Sequence, residues 1–157
     1  MIVFLDTGIL TLLVTEASAS EEARQCQEWF YQLFSKGVYI VSSEICDYEI
    51  RRGLLFIDTK KGRTAGPQIQ VLERFRELIE FLPVTRSVLL KSAELWAEVQ
   101  IKGLSSSRTG IDGDILIAAQ WTILQEDNPG QYVVIATTNL RHFQHYTEAK
   151  IWRDITF

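Results

Sequence analysis

The sequence predicts an α/β domain in three layers, a mostly parallel central sheet with helices on both faces. Strand-like and helix-like patterns alternate along the whole chain, and the connections are long enough for crossover helices. Two runs, Ile2–Leu5 and Tyr132–Ala136, have the length and Val/Ile/Tyr content of strands buried within a sheet. The chain has 157 residues, 46% of them hydrophobic, which suffices for one domain with a sizeable core. No linker, internal repeat or low-complexity tract interrupts it.

The elements follow in order. Ile2–Leu5 is the first strand, and a short apolar helix follows near Ile9–Val14. Glu21–Ser35 is helical, with Ala23, Cys26, Phe30 and Leu33 near helical spacing and Lys36-Gly37 closing it. Val38–Val41 is a strand, and Ser42 or Ser43 caps a helix running to about Ile57. After a loop over Gly62–Pro67, Gln68–Glu80 is helical, with Val71, Leu72, Phe75, Leu78 and Ile79 on one face. Phe81–Val84 is a short strand whose Pro83 suits a sheet edge. Ser87–Lys102 is helical and Gly103–Gly113 a polar loop. Asp114–Gln125 is a helix apolar nearly all round, hence buried. Asp127-Asn128-Pro129-Gly130 is a turn, Gln131–Thr138 a strand, and Lys150–Ile155 a last strand.

The longest apolar run, Ile9–Val14, is far too short to span a bilayer, so no membrane role is expected. The start shows no secretory pattern of a basic segment, an apolar stretch and a small-residue cleavage site. Cys26 and Cys46 sit among apolar residues in helical patterns and read as buried free thiols, in keeping with a reducing cytoplasm. The net charge of −4 argues against a broad nucleic-acid-binding face. Arg51, Arg52, Lys60, Lys61 and Arg63 nevertheless form a basic stretch, either a solvated helix end or a rim that contacts phosphates.

The chemistry lies in four islands of acid or amide beside apolar runs: Asp6 after IVFL, Glu49 in ICDYEIRRGL, Asp114 opening DILIAAQ, and Asn139 after YVVIATT. A carboxylate at the exit of a buried strand is costly to place unless something pairs it. Several such groups at element ends suggest one crevice holding a hard cation, and carboxylates without nearby His or Cys suit Mg²⁺ or Mn²⁺ rather than Zn²⁺. In such sheets ligands collect beyond the carboxyl ends of the strands. Each site also has a plainer reading. Asp6 is a ligand or a helix cap, and Glu49 lines a cleft or pairs with Arg51 or Arg52. Asp114 is a ligand or a cap, with Asp112 two residues before it. Asn139 offers a carbonyl oxygen or is an ordinary turn residue.

Helical geometry separates Glu49 from its acidic neighbours. At about 100° per residue, Cys46, Ile50, Gly53 and Ile57 make one stripe. Glu49 lies roughly 70° from its centre, Asp47 about 90° to the other side, and Glu44 roughly 150° away. Glu49 is thus at the border of the buried face, while Glu44 is expected in solvent, acting on the helix dipole. His142 and His145 stand three apart without a third soft ligand and read as surface or packing residues. There is no Gly-rich phosphate loop, nucleophile elbow or Cys-x-x-Cys.

Four stretches, FLDTG, YEIRRGL, DGDILIAAQ and ATTNLRHF, resemble in order and spacing the PIN-domain ribonucleases, particularly the VapC-type toxins of toxin–antitoxin pairs. The resemblance implies a three-layer PIN-like domain over 1–157 and metal-dependent endonucleolytic cleavage of RNA. It implies that Asp6, Glu49 and Asp114 hold Mg²⁺ or Mn²⁺, with Asn139 in a fourth position and Thr7 supplying an assisting hydroxyl. Asp112, crowding the same turn as Asp114, reads from the sequence itself as a partner behind that ligand or as a ligand to a second metal. Arg51, Arg52, Lys60, Lys61 or Arg63 would hold the flanking RNA backbone. It further implies a cognate antitoxin and a homodimer. Gly8 departs from the family's usual Asn or Ser, and Asn139 stands where an acid is common. A catalytically silent PIN scaffold that binds RNA or a protein is the alternative. A phosphoacceptor receiver domain is set aside, since no mid-chain strand ends in Asp and no late strand is followed by Lys.

Overall fold

The computed structural model describes residues 1–62, 66–103, 113–143 and 145–156. In chain order the elements are β1 (Ile2–Leu5), α1 (Thr7–Val14), α2 (Glu21–Ser35), β2 (Tyr39–Ser43), α3 (Glu44–Lys60), α4 (Pro67–Leu78), β3 (Glu80–Leu82), α5 (Arg86–Ile101), α6 (Gly113–Asp127), β4 (Val133–Thr137) and β5 (Ala149–Ile151). Single 3₁₀ turns follow at Leu140–His142 and Trp152–Asp154. Among the described residues no helix is long and apolar enough to cross a membrane.

The five strands form one sheet in the order β3-β2-β1-β4-β5, every pairing parallel. The first half of the chain builds the sheet outward on one side of β1, and the second half builds it on the other. β1 is therefore central and all four of its residues are buried. It pairs with β2 through Phe4 opposite Val41 and with β4 through Leu5 opposite Ala136. Helices cover both faces and complete the expected α/β/α sandwich. α1 packs on α2, α3 and α4, and α5 packs on α6.

Where boundaries differ from expectation, local chemistry explains the shift. α1 starts at Thr7 rather than Ile9 because Asp6 caps it. α4 starts one residue early because Pro67 suits the first helical turn, and β3 occupies Glu80–Leu82 rather than 81–84. β3 pairs only with β2, so it is the edge strand that Pro83 signalled, with the proline just past its end. Strand β4 begins at Val133, since Tyr132 remains exposed. The last strand is the largest correction. It is Ala149–Ile151, and the chain then turns at Trp152, whose ring is buried 5.6 Å from that of Trp29 on α2. Residues 104–112, within the expected polar loop, lie outside the described residues, as does the side chain of His142; His145 is exposed. Both cysteines are free and buried, as expected.

Glu44 and Asp47 prove to be structural. Asp47 is 6% exposed and accepts from Arg51 at 2.8 and 2.9 Å and from Arg76 at 3.3 Å. Arg76, on α4, also bonds both oxygens of Glu44 at 2.7 and 2.8 Å, so Glu44 is an ion-pair partner rather than a solvated group. Arg51 reaches Glu73 of α4 at 2.7 Å. These pairs clamp α3, which carries Glu49, against α4. Burial pushes the Asp47 carboxyl up, but the hydrogen bond and charge of Arg51, aided by Arg76, outweigh it and hold the group below the usual range. Its contribution to stability is therefore present above the ordinary carboxylate range and lost on acidification. Asp47→Ala should lower unfolding free energy at neutral pH by roughly 2 kcal/mol, measured by urea denaturation, with the deficit shrinking towards pH 3.

Candidate active site

Because all strands run the same way, their carboxyl ends share one edge, and the order reverses between β1 and β4. A cleft of about 400 Å³ opens there. Its polar lining is Asp6, Thr7, Glu49, Asp114, Thr138 and Asn139, and Gly8, Gly113 and Ile117 complete the wall. Four islands far apart in sequence thus meet in one place.

Asp6 leaves β1 and is 7% exposed. One carboxylate oxygen accepts from the Ile9 N–H at 2.8 Å, and the other accepts from the Thr137 hydroxyl at 2.5 Å. It is therefore both a helix cap and a wall of the cleft; the two readings are not exclusive. Burial pushes its carboxyl up to about 6, against the hydrogen bonds of Thr137 and Ile9, and the negative charge of Asp114 adds to the rise. Thr137 is fully buried, and its hydroxyl also accepts the Asn139 N–H at 2.9 Å.

Glu49 faces the cleft from the second turn of α3, at the border position that helical geometry assigns it. The Thr7 hydroxyl donates to its Oε2 at 2.6 Å, so Thr7 orients a carboxylate. Its Oε1 lies against Gly113 at the start of α6, where a Cβ would approach within 2.7 Å. A glycine there gives the carboxylate room at the positive end of a helix. Asp114, next in that first turn, lines the cleft beside it. At Gly8 a Cβ would come within 2.5 Å of the Thr138 hydroxyl, so that hydroxyl occupies the space a larger residue would fill. Asn139 lines the cleft and also caps the 3₁₀ turn, accepting the Arg141 N–H at 3.2 Å.

Among the described residues, no member of the expected basic rim lines this cleft. Arg51 is engaged with Asp47 and Glu73, and Arg52 lies 5.2 Å over the Tyr48 ring. Lys60 and Lys61 end α3 and do not line the cleft. Arg63 and Asp112 lie outside the described residues. Sequence reasoning missed Thr137, Thr138, Gly113 and Ile117. The one signal was a pair of threonines closing an apolar strand, where a buried hydroxyl needs a partner.

Three carboxylates, two hydroxyls and an amide carbonyl offer oxygen donors that suit a hard divalent cation. Among the described residues, no group of three or more His, Cys, Asp or Glu side chains forms a ready-made metal cage. The carboxylates share the cleft while Asp6 and Glu49 are held by hydroxyl and backbone donors.

No family model matches the chain, and no curated protein does. Solved structures do. The DNA-bound VapBC of Salmonella typhimurium aligns with a TM-score of 0.67 at 20% identity, covering 97% of this chain and 98% of that one. VapBC-1 of nontypeable Haemophilus influenzae gives 0.67 at 19%, covering 98% and 100%. VapBC2 of Rickettsia felis, bound to a DNA fragment from its promoter, gives 0.64 at 19%, covering 95% and 96%. At such identities the likeness is one of fold, and the chain adopts the PIN-like α/β/α arrangement its motifs suggested.

Two measurements probe this geometry. Asp6 keeps its proton to about pH 6 in the folded chain, against 3.8 as its ordinary value. Its stabilising contribution is complete below that ordinary value and lost as pH rises through about 6. Asp6→Asn should therefore match the parent near pH 4 and exceed it at pH 7, by on the order of 3 kcal/mol at most, in denaturant titrations without added metal. Gly113→Ala should fold normally yet displace Glu49, visible as a weaker thermal shift with Mn²⁺.

Proposed function

We propose that this chain is a divalent-metal-dependent endoribonuclease of the VapC type, the toxin of a toxin–antitoxin pair. The observation that carries the reading is the meeting of Asp6, Glu49 and Asp114 in one cleft at the carboxyl ends of a parallel sheet. Asp6, Glu49 and Asp114 would hold Mg²⁺ or Mn²⁺, with Asp112 a further candidate. The bound ion would supply Lewis acidity, easing deprotonation of water and offsetting charge on the departing oxygen. The chain's own residues prepare the rest. Thr137 and the Ile9 N–H fix the Asp6 carboxylate, and Thr7 fixes Glu49. Asp6 must release its proton before it binds a cation, so activity should decline as pH falls below about 6. Ile117, 1% exposed, gives the cleft an apolar wall.

A partner follows from the same reading. The similar structures are VapBC proteins, two of them with DNA. This chain would accordingly work in the cytoplasm as a homodimer beside an antitoxin whose Arg or Lys side chains complement the acidic cleft. The silent-scaffold reading draws support from the lack of a ready-made cage among the described residues and from the amide at Asn139.

Purified protein should cleave RNA with Mg²⁺ or Mn²⁺ and stop with EDTA. Cleavage that survives complete chelation would end the metal mechanism, and none under any condition would favour the scaffold. Asn139→Ala should cost less activity than Asp114→Ala, because a neutral amide holds a dication less strongly than a carboxylate. Co-expression with an adjacent small antitoxin gene should relieve growth arrest and yield a stable complex.

A further inference from the structure

We propose that Arg141, with the Thr138 hydroxyl, grips an RNA backbone phosphate beside the cleft, so that the turn after β4 is the substrate-holding element. The proposal rests on the ribonuclease reading and names the substrate contact of that site. An RNA strand entering this cleft meets the carboxylates of Asp6, Glu49 and Asp114. A cation bound among them answers the phosphate it touches, but the flanking phosphates need positive groups of their own.

The obvious cations are badly placed for this. Arg51 is paired with Asp47 and Glu73 and Arg76 with Glu44 and Asp47, so both are engaged in joining helices. Lys60 lies eleven residues beyond Glu49 on α3, about 16 Å along the helix axis. Arg141 differs on each count. Its backbone N–H is bonded to the side chain of Asn139, a residue of the cleft wall, so its Cα is tied to the cleft mouth. It is exposed, and its guanidinium has no ion pair among the described residues. Thr138, two residues before Asn139's turn begins, lines the cleft, and its hydroxyl has no hydrogen-bond partner among the described residues. A planar donor fork and a free hydroxyl at the edge of an acidic cleft suit a phosphodiester. The turn that carries both is anchored beside Asp6, because Thr137 bonds Asp6 and the Asn139 N–H at once, and Asn139 in turn bonds the Arg141 N–H.

The test uses the full chain carrying Asp6→Asn to prevent cleavage, with a fluorescently labelled RNA hairpin and anisotropy read across a salt series in Mg²⁺. Adding Arg141→Ala should weaken binding by about tenfold and lower the slope of log affinity against log salt by about 1. Arg141→Lys should restore most of the salt slope but only part of the affinity, and Thr138→Val should weaken binding without changing the slope. In the otherwise unaltered chain, Arg141→Ala should raise KM with little effect on kcat and leave the Mn²⁺ thermal shift intact. Unchanged affinity and slope would overturn the proposal, as would a larger loss on replacing Lys60 and Lys61 together. RNA binding that depends on Arg141 in a chain that never cleaves would sink the nuclease reading and keep the contact. A chain that binds no RNA overturns both.

Discussion

The architecture depends on a carboxylate buried at the exit of the central strand. Asp6 sits where β1 ends, with neighbours on both sides and a helix beginning directly after it. An ionised carboxylate in such a place needs hydrogen bonds, and two arrive from different directions: the Ile9 N–H in sequence and the Thr137 hydroxyl across the sheet. Those bonds start α1 and fix the register of the β4 exit against the β1 exit. They do not cancel the cost of burial, which is why the group holds its proton to about pH 6. A site kept in this condition favours any partner that brings positive charge.

Glycine sets how closely the other groups approach. Gly113 leaves room for the Glu49 carboxylate at the head of α6, and Gly8 leaves room for the Thr138 hydroxyl. The residue at position 8 therefore departs from the related motif without leaving a gap, since a hydroxyl from the far strand exit fills the space. The clamp between α3 and α4 acts at longer range. Arg51 and Arg76 bind three carboxylates among them and hold the helix that delivers Glu49.

What was legible in the sequence was local. α2 was placed to the residue because its apolar residues keep helical spacing and Lys36-Gly37 ends it, and in the structure Ser20 caps it. Angular position on α3 separated Glu49 from Asp47 and Glu44 correctly as to the cleft. It could not show that Asp47 is buried, because its second arginine comes from α4, 29 residues on. A second long-range pair, Arg51 with Glu73 of α4, engages one arginine of the expected basic rim. Thr137 was hidden for a like reason: its role exists only once β1 and β4 are in register. The last strand was drawn too long, because burial of Trp152 against Trp29 turns the chain directly after Ile151.

The strand order also imposes a sequence in time. β1 is made first, yet one of its two neighbours in the sheet is β4, and the hydrogen bond from Thr137 to Asp6 joins residues 131 apart. On a ribosome the N-terminal half emerges with β1, β2 and β3 able to pair while the other edge of β1 waits open. Asp114 and α6 arrive later, and Thr137, Thr138 and Asn139 later still. The acidic cleft therefore cannot close on the nascent chain until residues near 139 have cleared the exit tunnel. If the chain is the nuclease proposed above, that delay would leave the growing polypeptide without an assembled cleft until the β4 exit has been made.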